Sequence, residues 1–349
     1  MTSGENNATN YSEARLGLNW KGVVQLLIGI GALALLFARS DLRGIAEAIR
    51  RTRLEFLPLA VLASFVVTWL MAFRWRVILE SRGHRIETRR LFGYYLIASF
   101  FTNFLPGGSL SGDAARLIYV NRQVGDKALV LSTLIYERLI GVFALFLVGL
   151  LATLLSHVYV QTDPTIYISE GVLGLAFIAI AMLMSEFVSA RLARLIEALG
   201  NKLRLPKIGS AVARTILEIS SLRRNKRLFA STLIVSFLIR IVWSAGCYLV
   251  SLAMGLPLGI TLVFSFISLA DLVRLMPISI GGLGVREWAL IALFAGVGLQ
   301  QERALTFSLL AFAPLYLNAI VGGIVYVSGA RIRKRTQAVG ELDLDSPAA

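Results

Sequence analysis

Four pairs of opposite charge interrupt stretches of this chain that are otherwise apolar: Asp113 with Arg116, Glu137 with Arg138, Asp271 with Arg274, and Arg286 with Glu287. An ionised side chain near the middle of a bilayer costs at least ~2.5–3.5 kcal/mol, so such groups are expected to face inward and pair. Guanidinium groups clamp phosphate through parallel N–H bonds, and carboxylates receive an ammonium. The chemistry on offer is recognition of an anionic or zwitterionic head group inside a polar cavity, with Arg116, Arg138, Arg274 and Arg286 as head-group ligands and Asp113, Glu137, Asp271 and Glu287 as charge partners. The plainer alternative is that the same pairs tie helices together. Arg240 lies about a dozen residues into another apolar run, deeper than an easy snorkel. Arg74 and Arg76, beside Trp75, end a run and read as interfacial anchors.

Two of these pairs sit beside glycine-proline interruptions. The first, Leu105 to Arg116, contains Pro106, Gly107, Gly108 and Gly112; the second, Met276 to Glu287, contains Pro277, Gly281, Gly282 and Gly284. Hydrocarbon cannot satisfy the backbone groups that a helix break frees, so such breaks persist only where protein or a polar cavity surrounds them. A matched pair of breaks, one in each half, is the sequence pointer to a transporter-like site built from discontinuous helices. Asn103 is placed to satisfy backbone freed by Pro106. The second glycine cluster, followed by Arg286, either aims free N–H groups and a helix start at a phosphate or serves close packing and sharp turning.

Composition sets the surroundings of these residues. Of 349 residues, 56% are hydrophobic and 16% charged, and the mean hydropathy is +0.73, more apolar surface than a soluble domain buries. The expected fold is all-α: a polytopic integral membrane protein with about 7–9 hydrophobic segments, two of them broken or re-entrant, one in each half. Candidate segments are 21–38, 57–79, 91–105, 128–156, 166–188, 228–254, 259–276, 287–299 and 304–328, with 91–105 and 287–299 short enough to be half-helices. A polar stretch 1–20 precedes the membrane domain 21–330, and a polar tail 331–349 follows it. The formal charge of +14 would suit a nucleic-acid partner, but the hydropathy does not, and contact with anionic phospholipids of the cytoplasmic leaflet is the expectation. One cysteine and two histidines leave no set for zinc, and no Walker loop or dinucleotide fingerprint occurs; no metal or cofactor is expected.

Between Arg138 and Arg191 there is no Lys or Arg, whereas 191–227 carries ten against two Glu. The positive-inside rule therefore puts 191–227, the 80–90 loop and the Arg331–Arg335 tail in the cytoplasm. The 190–227 segment, with Leu192, Leu195, Ile196 and Leu199, then Ile208, Val212, Ile216 and Ile219 at helical spacing, reads as two surface-lying helices divided near Pro206. The 39–56 stretch has five arginines yet falls outside by parity; it reads as an interfacial amphipathic helix.

Phe73-Arg-Trp-Arg76, Asn103-Phe-Leu-Pro-Gly107 with Gly112-Asp-Ala-Ala-Arg116, Glu137-Arg-Leu-Ile-Gly141, and Pro277 to Glu287, in that order, resemble the flippase-like transmembrane domain of the lysylphosphatidylglycerol synthases, including its stand-alone members. The resemblance runs from about residue 20 to 330. It implies an inner-membrane domain, in a bacterium, that translocates a lipid with a polar and phosphate-containing head group, working beside a synthase or transferase that makes the lipid. Family members are linked to aminoacyl-phospholipid, hopanoid, glycolipid and lipid-linked sugar pathways. Full synthases carry a soluble aminoacyl-transferase domain after the membrane part; here the chain stops about twenty residues past the last span, so that reaction is not expected. The rival readings are a membrane transferase or accessory factor for glycolipid, lipid-linked sugar or hopanoid synthesis, and a non-transporting scaffold.

Overall fold

The structure, a computed structural model, describes residues 20–156, 164–183, 193–199, 224–275 and 278–344 and isolated positions between 191 and 222. Pro277 and, in the basic segment, Leu192, Pro206, Ile208, Val212 and Ile219 lie outside the described residues. Every regular element among the described residues is helical: α1 (Trp20–Arg39), α2 (Leu42–Arg50), α3 (Leu57–Glu80), α4 (Thr88–Phe104), α5 (Ser109–Val124), α6 (Lys127–Ser156), α7 (Pro164–Leu183), α8 (Lys226–Ala253), α9 (Ile260–Leu275), α10 (Val285–Ala295) and α11 (Gln301–Leu344). Four stretches, Leu54–Glu80, Lys127–Ser156, Lys226–Ala253 and Gln301–Ser328, are each long and apolar enough to cross a bilayer. The all-α polytopic fold expected from hydropathy is the one found.

The arginine-rich 39–56 stretch does form a short helix. A 90° bend separates α1 from α2, and Asp41 caps α2 by accepting from Arg43 N at 2.9 Å, while Ile45 turns inward. At the other end, α11 runs without a break to Leu344, beyond its apolar span, which ends at Ser328.

Each helix break is the tip of a hairpin. In the first, the ring of Tyr94 on α4 stacks on Tyr119 of α5 at 5.0 Å, and nearer the tip Ser111 Oγ donates to the Phe101 carbonyl at 2.8 Å. Contacts that climb one helix as they descend the other define antiparallel arms. A methyl group on Gly112 would stand 2.7 Å from the Ala98 carbonyl oxygen, which is why the arms meet at glycine. The second hairpin pairs α9 with α10: Phe266 packs on Phe294 with ring centres 5.3 Å apart, and Gly282 sits against the Arg274 side chain. The expected half-helices 91–105 and 287–299 are thus single arms of these hairpins. Their companion α5 is absent from the apolar segments because Asp113, Arg116 and Arg122 lower its hydropathy.

The two halves repeat one another. Helix, hairpin and long helix follow in the order α3, α4–α5, α6 and again α8, α9–α10, α11. Helices α3 and α8 run antiparallel: Arg53 N donates to Ala253 O at 2.8 Å, Ala63 touches Gly246, and Arg74 reaches Ser236. The long helix of each half packs on the first hairpin arm of the other, through Gly149 on Ser268 in one case and Gly322 on the Leu96 backbone in the other. The same order of elements in both halves, with leading helices that run antiparallel, is the arrangement of an inverted repeat.

A cysteine pair tests the α3–α8 packing. A Cβ built on Gly246 falls 3.1 Å from that of Ala63, close to the range a disulfide bridges. Ala63→Cys with Gly246→Cys, in a Cys247→Ser background, is expected to cross-link on mild oxidation, read as a reductant-sensitive shift in gel mobility.

Candidate functional site

The hairpin tips meet. Gly281, at φ +62°, lies against Asn103, and a Cβ there would stand 3.1 Å from Asn103 Oδ1; Gly108 faces the Gly281 nitrogen from the other tip. Left-handed backbone at this junction suits glycine, which has no Cβ to strain and none to press on Asn103. The freed backbone finds protein partners, as hydrocarbon surroundings require. Gly107 N donates to Gln25 Oε1 of α1 at 3.1 Å, and Ser111 Oγ serves the Gly108 carbonyl at 2.7 Å. Asn103 plays a different part from the one expected: its amide donates back to Ser99 O at 2.8 Å on its own helix.

Beside this junction lies a chamber of about 260 Å³ lined from both halves. Its charged lining is Arg74, Asp113, Arg116, Glu137 and Arg138 from the first half and Arg240, Asp271 and Arg274 from the second. Five guanidiniums face three carboxylates, a formal surplus of two positive charges. The depth is that of a mid-membrane site: Glu137 is ten residues into α6, about 15 Å from its start, and Arg240 is at the middle of α8.

Glu137 organises the first cluster. Its Oε1 accepts from Arg74 Nη2 at 2.8 Å and from the Tyr95 hydroxyl, and its Oε2 accepts from Arg116 Nη1 at 2.8 Å. Arg116 also binds Asp113, whose second oxygen takes Arg138. The Arg116 guanidinium lies over the Tyr95 ring at 4.5 Å, and Arg74 passes Gly141, where a side chain would crowd it. In the second cluster Asp271 accepts from Arg240 at 2.6 Å and from Arg274 at 3.5 Å. Of the eight residues paired by sequence adjacency, Glu137 and Arg138 are not partners; each reaches across to another helix instead.

Arg286 and Glu287 are corrected out of the head-group set. They bind each other, Glu287 Oε2 accepts from Gly284 N at 2.7 Å to cap α10, and Arg286 lies 3.9 Å from the centre of the Phe312 ring. Neither lines the chamber, and the pair is fully enclosed. The start of α10 is likewise filled: Gly284 abuts Gly29 and Ala32 of α1, leaving no approach for a phosphate. Here the glycines serve close packing.

Arg74 was missed in the opposite direction. Trp75 is wholly buried, donating to Thr133 Oγ1 at 3.1 Å, and the Arg74 side chain is only 5% exposed. Only Arg76, half-exposed against Glu80, fits the anchor reading. The available signal was the facing charge: Glu137 needed more cation than Arg138 alone provides.

These features define a polytopic helical membrane protein with a charged chamber held between two re-entrant hairpins. A family profile described as the lysylphosphatidylglycerol synthase TM region matches residues 22–322, and the chain belongs to that family. It is 22% identical over 334 residues to a UPF0104 membrane protein of Pyrococcus horikoshii, covering 89% of this chain and 98% of that relative. To a UPF0104 membrane protein of Methanothermobacter thermautotrophicus it is 21% identical over 296 residues, covering 81% and 87%.

Removing the Glu137 charge should be costly, because two guanidiniums then lose their buried counter-charge. Glu137→Gln is expected to lower stability by about 3–5 kcal/mol, whereas Glu80→Gln at the half-exposed pair should cost under ~1 kcal/mol. Thermal unfolding in detergent, read by tryptophan fluorescence, distinguishes the two. Arg286→Ala is expected to behave as Glu137→Gln does.

Proposed function

We propose that this protein moves a membrane lipid with a phosphate-containing head group between leaflets, taking the head group into the chamber while the acyl tails stay in the bilayer. The observation that carries this reading is the chamber itself: a surplus of guanidinium, at mid-membrane depth, between hairpins from both halves of an inverted repeat. Arginine recognises phosphate through parallel N–H bonds, and inverted repeats around a central site are a common architecture of alternating access.

Arg138, Arg240 and Arg274 are the ligands in this scheme. Their side chains are 22–35% exposed, toward the chamber they line. Arg74 and Arg116 are more deeply held by Glu137 and set the field. The balance of Lys and Arg places 80–90, 191–227 and the C-terminus in the cytoplasm; the α4–α5 hairpin then enters from the cytoplasm and α9–α10 from outside. The membrane in this reading is the cytoplasmic one.

Purified protein in liposomes, with a leaflet-resolved assay of fluorescent phospholipid, tests the proposal. Head-group movement without chemical change is expected. Arg240→Ala and Arg274→Ala should each slow it by about tenfold, the worth of one charge-assisted contact, with melting temperatures near that of the parent. A new lipid product would favour the transferase reading, and movement unaffected by both substitutions would remove the chamber from the mechanism.

A further inference from the structure

The chamber's hydrogen bonds are lopsided. All six carboxylate oxygens are already engaged: Glu137 by Arg74, Tyr95 and Arg116, Asp113 by Arg116 and Arg138, and Asp271 by Arg240 and Arg274. The donors are not. A guanidinium has five N–H groups, yet among the described residues Arg240 and Arg274 each make one bond, through Nη1, and both go to Asp271. Arg74 Nε and Ser279 Oγ are buried at the chamber with no partner among the described residues. Ser279 is only 4% exposed, so its hydroxyl has no evident route to bulk water. Unused donors, no unengaged carboxylate oxygen and two surplus positive charges describe the complement of a dianion.

Size narrows the choice further. A chamber of about 260 Å³ lies below the ~300–1,000 Å³ of ordinary ligand pockets, so it suits a compact group better than an oligosaccharide.

We infer that the chamber takes a lipid whose head group is a phosphomonoester or diphosphate, with two negative charges and no ammonium, and that it discriminates against zwitterionic and aminoacylated lipids. This rests on the translocation reading of the same site and names its substrate class. An ammonium entering the chamber would meet carboxylates already bound to arginine and a field of its own sign. A phosphodiester with one charge would leave the field half balanced. Asp271 is the internal competitor: its longer bond, to Arg274, is the one a phosphate would displace.

The test is binding, measured apart from transport. The full-length protein, in detergent, is titrated with phosphatidic acid, phosphatidylglycerol, phosphatidylethanolamine and lysyl-phosphatidylglycerol, and binding is read by native mass spectrometry. Phosphatidic acid is expected to bind about tenfold tighter than phosphatidylglycerol, and the two amine lipids more weakly still. The advantage over phosphatidylglycerol should shrink from about pH 8 to about pH 5, as the monoester loses its second charge while arginine keeps its own. Arg274→Gln, which removes one surplus charge, should narrow the same ratio. Amine lipids that bind as tightly as phosphatidic acid, or a ratio indifferent to both pH and Arg274→Gln, would overturn the inference. Glycerol 3-phosphate is the soluble control: competition at equal concentration would make the ligand a free phosphomonoester and overturn its lipid nature. Tight phosphatidic acid binding with no movement in liposomes would sink translocation and leave this specificity standing. Movement that favours phosphatidylethanolamine would do the reverse.

Discussion

One buried carboxylate ties much of this structure together. Glu137 on α6 takes hydrogen bonds from α3, α4 and α5 through Arg74, Tyr95 and Arg116, so a single charge fixes the first hairpin against the two long helices that flank it. Its side chain is 3% exposed, and the desolvation cost of a carboxylate so placed is recovered only with good geometry and further hydrogen bonds. That demand explains the company it keeps: one oxygen takes a guanidinium and a phenol, and the other takes a second guanidinium. The second half holds its charge more loosely, since Asp271 has two arginines and no third donor among the described residues. The two halves therefore share an order of elements and differ in charge, with one side firmly cross-linked and the other readier to exchange partners.

Glycine does for the backbone what arginine does for the charge. Gly112, Gly149 and Gly322 sit where a helix from one element meets the backbone or a small side chain of another, and van der Waals packing of this kind drives association where lipid supplies no hydrophobic gain. The tip glycines then let the hairpins approach closely, with Asn103 of one against Gly281 of the other. Packing and charge converge on the same region, which is why the chamber is small.

The segments were legible because hydropathy reports burial in lipid directly: the boundaries of α3, α6, α8 and α9 fall within a few residues of the apolar runs. Re-entrant hairpins were legible from proline and glycine in apolar surroundings, but α5 was not, because a helix lined with Asp113, Arg116 and Arg122 carries no hydropathy signal and packs by its glycine and its ion pairs. Pairing by sequence adjacency recovered Asp113 with Arg116 and Asp271 with Arg274, where three residues bring side chains to one helix face. It also recovered Arg286 with Glu287, but failed for Glu137 and Arg138, whose side chains point about 100° apart on α6 and are claimed by residues of neighbouring helices. Arg74 was misread for a related reason: its nearness to the end of a run is a one-dimensional fact, whereas the carboxylate that claims it sits on another helix.

The tips have a further property, which concerns the order in which a ribosome delivers them. Gln25, which serves the first tip, precedes it in the chain; Gly29, Ala32, Asn103 and Gly108, which receive the second, all precede that one. A chain threaded into the bilayer from its N-terminus thus has Gln25 in place before the first tip, and α1 and the whole first tip in place before the second.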